Sequence, residues 1–180
     1  MRPLTIPPHR RSCSYPAALR VWLPAPMALL LLLLTLGARP AAAQDTALCG
    51  DAHAHLEEVA GMAAITEPDT IDDWRTDQLV PGCRVTASGA TSLPRRDVVV
   101  EFYEELEAAG WTRTPDPRDA PNEASLRFRR NGADCLFNFY TDGMLLTEAE
   151  EEVDNRVPLI PGQERYNFLV MCTPAMEAAP

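Results

Sequence analysis

"SLRFRRNGADCLFNFY", Ser125 to Tyr140, decides the fold, because Asn131 and Gly132 sit between two runs that alternate apolar and polar residues. Asn-Gly supplies the two consecutive positive-φ residues of a type I′ turn, whose twist matches that of a β-hairpin. A two-residue turn fixes the register: Arg130 faces Ala133, Phe128 faces Cys135 and Leu126 faces Phe137. Each inward residue then meets an inward residue. The outward face pairs Arg129 with Asp134, opposite charges on neighbouring strands.

Further along, "YNFLVMC" places Phe168, Val170 and Cys172 on one face of a returning strand. If Cys135 lies opposite Cys172, Phe137 falls opposite Val170 and Phe139 opposite Phe168. One register therefore satisfies the apolar face and brings two sulfurs together. The expected bridges are Cys135 with Cys172 and, by remainder, Cys49 with Cys83, the second stapling an N-terminal helix to the first strand.

Upstream of the hairpin, "LPRRDVVVEFYEELEAAGW" is the clearest helix. Pro94 suits its first turn, Val99, Phe102, Tyr103 and Leu106 form one apolar stripe, and Gly110 stands where a left-handed cap belongs. "GCRVTASG", Gly82 to Gly89, alternates as a short strand. An amphipathic pattern predicts a further helix from Ala47 to Ala64. Thr66 to Gln78, acidic and holding Pro68, reads as a surface connection with Trp74 pinned to the core, and Thr112 to Glu123, with three prolines, reads as a loop. Thr147 and Glu150 have capping-box spacing, so a short acidic helix through Val153 is expected. The sum is an α+β fold: a small antiparallel sheet of about four strands, the amphipathic helix Val98 to Ala109 across one face, an N-terminal helix and two disulfides.

Residues 1–43 hold arginines and no acid, then the apolar run Met27 to Leu36, then Ala41, Ala42 and Ala43. This is the pattern of a cleaved secretory signal peptide. The expected product, 44–180, is a single exported domain with its core in 79–173 and a flexible tail at 174–180. It lies in the periplasm or outside the cell, with no stable membrane insertion after cleavage. An even number of cysteines in an exported chain fits a disulfide framework.

The 44–180 portion carries 11 arginines against all 26 acids, a formal charge of −15, and the chain has no lysine. Nucleic acid is thereby disfavoured as a partner, since neutralising phosphates needs clustered positive charge. Schiff-base and lysine-base mechanisms are removed outright.

One motif hints at chemistry. "DAHAHL", Asp51 to Leu56, resembles the metal-ligand motif of the amidohydrolase superfamily, which implies a (β/α)8 barrel binding one or two metals through both histidines. That barrel needs about 250 residues, and the exported portion has no third histidine for the family's later ligands. On a helix, residues two apart point to nearly opposite sides. Asp51 and His55, four apart, are therefore the pair to test for metal binding, and His53 is expected to be dispensable.

Arg127 and Arg129, with neighbouring Arg130, share the hairpin with Asn138 and Tyr140 as a candidate anion-binding patch on the outer face. No serine stands in a G-x-S-x-G elbow, the cysteines are committed to bridges, and no catalytic residue or cofactor is assigned. The expected function is a non-catalytic module of the cell envelope, binding a partner protein or small ligand. The alternative is a small metal-dependent or carboxylate-based hydrolase.

Overall fold

The computed structural model describes residues 46–114, 124–141 and 143–176. These belong to one compact unit, Ala42–Pro180. The signal peptide expected at 1–43, most of the loop expected at 112–123 and the tail end at 177–180 lie outside the described residues.

Six antiparallel strands form one open sheet: β1 (Ala63–Asp73), β2 (Gln78–Thr91), β3 (Thr112–Arg113), β4 (Ser125–Arg130), β5 (Ala133–Tyr140) and β6 (Glu164–Pro174), in the order β1-β2-β6-β5-β4-β3. Three helices accompany it: α1 (Gly50–Ala54), flanked by a 3-10 turn at Thr46–Cys49 and a π-turn at His55–Val59, then α2 (Arg95–Ala108) and α3 (Glu148–Arg156). The class is α+β, as the sequence implies.

The hairpin adopts its expected register, Phe128 opposite Cys135 and Leu126 opposite Phe137. Asn131 and Gly132 take φ of 46° and 80°, as a type I′ turn requires. β6 joins β5 with Cys135 opposite Cys172 and Phe139 opposite Phe168. Both expected bridges form, Cys49–Cys83 and Cys135–Cys172. Closing loops of 34 and 37 residues, each removes unfolded-state entropy that amounts to about 3–4 kcal/mol.

The sheet is wider than the four strands expected. Helix from the N-terminal segment stops early, because Gly61 at φ 64° turns the chain after Val59. Ala63–Asp73 then pairs residue by residue with β2. Its prolines and acids resemble a loop in sequence, but β1 is an edge strand, where Pro68 forfeits no ladder bond and charges deter further pairing. The second addition, β3, pairs Thr112 with Arg129 and Arg113 with Phe128 at the opposite edge.

α2 lies across one face of the sheet. Phe102 stacks on Phe168 at 4.0 Å between ring centroids, and Tyr103 stacks on Phe128 at 5.7 Å. Val98, Phe102, Tyr103 and Leu106 are its buried stripe, with Val99 only partly covered. Trp111, Phe137, Leu56, Val85 and Val170 complete this core. Gly110, at φ 89°, ends the helix where the sequence places it.

The other face is covered too, which the alternation alone does not reveal. α3 begins at Thr147, whose hydroxyl accepts from the Glu150 amide, and it buries Ala149, Glu150 and Val153. It continues past the expected Val153 to Arg156. Asp134, Thr173 and Arg127 are also buried, with Arg75 from the β1–β2 turn. Trp74, expected in the core, is 41% exposed and lies under the Arg127 guanidinium at 5.8 Å.

Candidate functional site

Three places hold the chemistry-bearing residues. The first is the Asp-Ala-His-Ala-His stretch on α1 and the π-turn after it. Asn131 Nδ2 donates to Asp51 Oδ2 at 2.7 Å, and Arg130 Nε lies 3.9 Å from that oxygen, so the carboxylate is tied to the hairpin turn. His55 is buried, its ring edge-on to Phe102 at 5.5 Å. Burial, and then the nearby Arg130 charge, hold its pKa below the ordinary 6.5, so the imidazole is neutral at pH 7. His53 shares a 2.9 Å hydrogen bond with the Thr66 hydroxyl and sits 3.2 Å from Glu57. The motif's three polar side chains thus serve three different neighbours. Among the described residues no group of three or more His, Cys, Asp or Glu side chains converges as a metal site would require.

The second place is the sheet face that carries Arg127, Arg129, Asn138 and Tyr140. Register does bring these to one face. Their polar groups are turned onto the protein itself. Arg129 Nε donates to Asp134 Oδ1 at 2.6 Å and its Nη2 to the Met176 carbonyl, while Asn138 Nδ2 donates to the Leu169 carbonyl.

Arg75 links this cluster together. It donates to Asp73 and, through Nη1, to Asp134 Oδ2 at 2.9 Å. Asp134 is fully buried. Burial opposes its ionisation, yet the hydrogen bonds from Arg129 and Arg75 outweigh that and hold its pKa below the usual value. Asp73 is lowered chiefly by the Arg75 hydrogen bond. Tyr140 is pushed up by burial and by the Glu150 carboxylate beside it. The result is a closed ionic network whose chemistry is internal.

The third place was not singled out by sequence. Between α2 and the strands β4 and β5 lies an open groove with a volume of about 770 Å³. Its floor is apolar: Val99, Val100, Leu126, Phe139 and the ring of Tyr103. The Tyr103 hydroxyl donates to the Ala124 and Phe137 carbonyls at 3.0 and 3.1 Å, which locks the helix over the strands. Arg95 and Arg96 stand at the N-terminal end of α2, Arg113 on β3, and Glu104 and Glu107 also line the rim.

A sequence signal for this groove does exist. Positions 96, 99/100, 103 and 107 form a continuous stripe at helical spacing, and Val100 on that stripe is 47% exposed. Paired arginines in the first turn also oppose the helix dipole, at a cost of roughly 0.3–1 kcal/mol each. Exposed Val100 and the arginine pair do not serve the core.

Comparison with known proteins finds no matching family model, no matching curated protein and no matching solved structure.

Proposed function

We propose that this protein is an exported, non-catalytic binding module that holds a small ligand in the groove between α2 and the β4–β5 hairpin. The groove itself carries the reading. It is concave, its size falls within the roughly 300–1,000 Å³ of small-molecule sites, and it combines an apolar floor with a few charged groups at the rim. On the Arg127 face and the histidine stretch, by contrast, Arg129, Asn138, Asp51 and His53 are all bonded to other parts of the protein.

Export is supported by the amino-terminal pattern and by two disulfides, which persist in oxidising compartments. Among the described residues no helix is long and apolar enough to cross a membrane. Sequencing the amino terminus of protein recovered from the culture medium or periplasm tests this part, with a start at or near Gln44 expected.

The binding reading is tested by amide chemical-shift mapping with a panel of small apolar and amphipathic molecules. Saturable shifts clustered at Val100, Arg113 and Leu126, abolished by the groove-filling variant Val100→Trp, are the expected result. Shifts that are absent from these residues, or that persist in Val100→Trp, would overturn it.

A further inference from the structure

We infer that the groove's ligand is an apolar carboxylate, its head group held by the guanidinium of Arg96 and its tail laid along Val99, Val100, Leu126 and Phe139. This rests on the groove being the binding site, and adds the chemical class of what fills it.

The charge distribution points to an anion. In a portion of formal charge −15, uncompensated cations are rare. Among the described residues Arg75, Arg84, Arg129, Arg130, Arg156 and Arg165 all lie within ion-pair distance of a carboxylate. Arg96 and Arg113 have no such partner among the described residues, and both line this one groove. Arg95, by contrast, is already engaged, standing 3.8 Å from Glu164.

The placement of these charges orients the ligand. Arg95 and Arg96 occupy the first turn of the 14-residue α2, where the helix dipole already favours an anion. Pro94 precedes it without a side-chain cap. Glu104 and Glu107 lie two to three turns on, so a carboxylate is repelled from that end and drawn to the arginine end. Planar guanidinium groups match carboxylate geometry and bind it by paired, charge-assisted hydrogen bonds. The apolar floor excludes water beneath the tail, which a simple inorganic anion would leave uncovered. A cationic amphiphile would meet Arg95 and Arg96 as like charges.

The test is calorimetric titration of the oxidised protein with octanoate, octanol and octyltrimethylammonium. Octanoate is expected to bind about tenfold or more tightly than octanol, with affinity falling as salt rises. Arg96→Gln should lower octanoate affinity about tenfold and leave octanol binding unchanged. Arg96 is exposed, so the variant should fold as the parent does, which its melting curve verifies.

Equal binding of octanoate and octanol, or no effect of Arg96→Gln, would overturn the carboxylate assignment while leaving the groove as an apolar site. Tightest binding of the ammonium compound would also overturn it. Failure of all three, together with no response in Val100→Trp, would remove the groove reading itself.

Discussion

Cys83 and Cys172 face one another across β2 and β6 but are not bonded to each other. Cys172 is bridged instead to Cys135 on its other side, and Cys83 to Cys49 below the sheet. Three cysteines therefore stand in one row, with Cys172 in the middle. A Cys83–Cys135 bridge is excluded by geometry, since two strand spacings separate them by about 9.5 Å and disulfides need Cα atoms within about 7 Å. A Cys83–Cys172 bridge is not excluded.

Removing Cys49 should expose that alternative. In Cys49→Ser the Cys83 thiol lies beside an intact bridge, and thiolate attack can exchange it. Two isomers are expected at mildly alkaline pH, one with free Cys83 and one with free Cys135, together with a loss of about 3–4 kcal/mol of stability. Alkylation followed by peptide mapping distinguishes them, and a single product alkylated at Cys83 alone would refute the exchange.

The buried ionic network should respond very differently from surface pairs. Asp134→Ala removes one of the two carboxylates on the buried Arg75 guanidinium, whose side chain is only 2% exposed and which keeps Asp73, and is expected to cost about 1–3 kcal/mol for the hydrogen bonds lost. Arg156→Ala breaks an exposed pair with Glu152 four residues earlier and should cost about 0.5 kcal/mol or less. Urea unfolding of both variants measures the contrast.

Acid should weaken the fold in two stages. His55 is held neutral, with a folded pKa below 6.5. Its contribution is therefore complete above pH 6.5 and lost as pH falls through the folded value, because the unfolded chain takes up the proton first. Asp73 and Asp134 are lowered below 3.8, so theirs is present above that pH and lost only in stronger acid. Each site contributes a slope of up to about 1.4 kcal/mol per pH unit in its window. His55→Leu should remove the upper stage and leave the lower, as read from urea midpoints between pH 7 and 3.

The core and the groove floor should separate cleanly on one helix. Phe102→Ala removes the ring stacked on Phe168 and should cost about 3–5 kcal/mol. Tyr103→Phe deletes the hydroxyl that donates to Ala124 and Phe137, at about 1–3 kcal/mol for the carbonyls left behind. Val100→Ser, at an exposed floor position, should lie within about 0.5 kcal/mol of the parent. Thermal and urea unfolding of the three variants checks the order.

The parts of the fold governed by local chemistry are legible in the chain. Asn131-Gly132 set the turn, the turn set the β4–β5 register, and that register with the apolar alternation of β6 selected Cys135–Cys172. Gly110 and the Thr147/Glu150 box fixed helix ends because caps are made by residues within a turn of each other.

Features that depend on distant partners are not legible there. β1 is acidic and proline-bearing, and it is a strand only because β2 lies beside it to satisfy its backbone. Asp134 looked like an exposed cross-strand charge, but Arg75, 59 residues away in the chain, buries it. Asp51 meets the Asn131 side chain and His55 the Phe102 ring, contacts that local periodicity cannot see. The groove likewise is assembled from α2, β3, β4 and β5, elements that only long-range packing brings together.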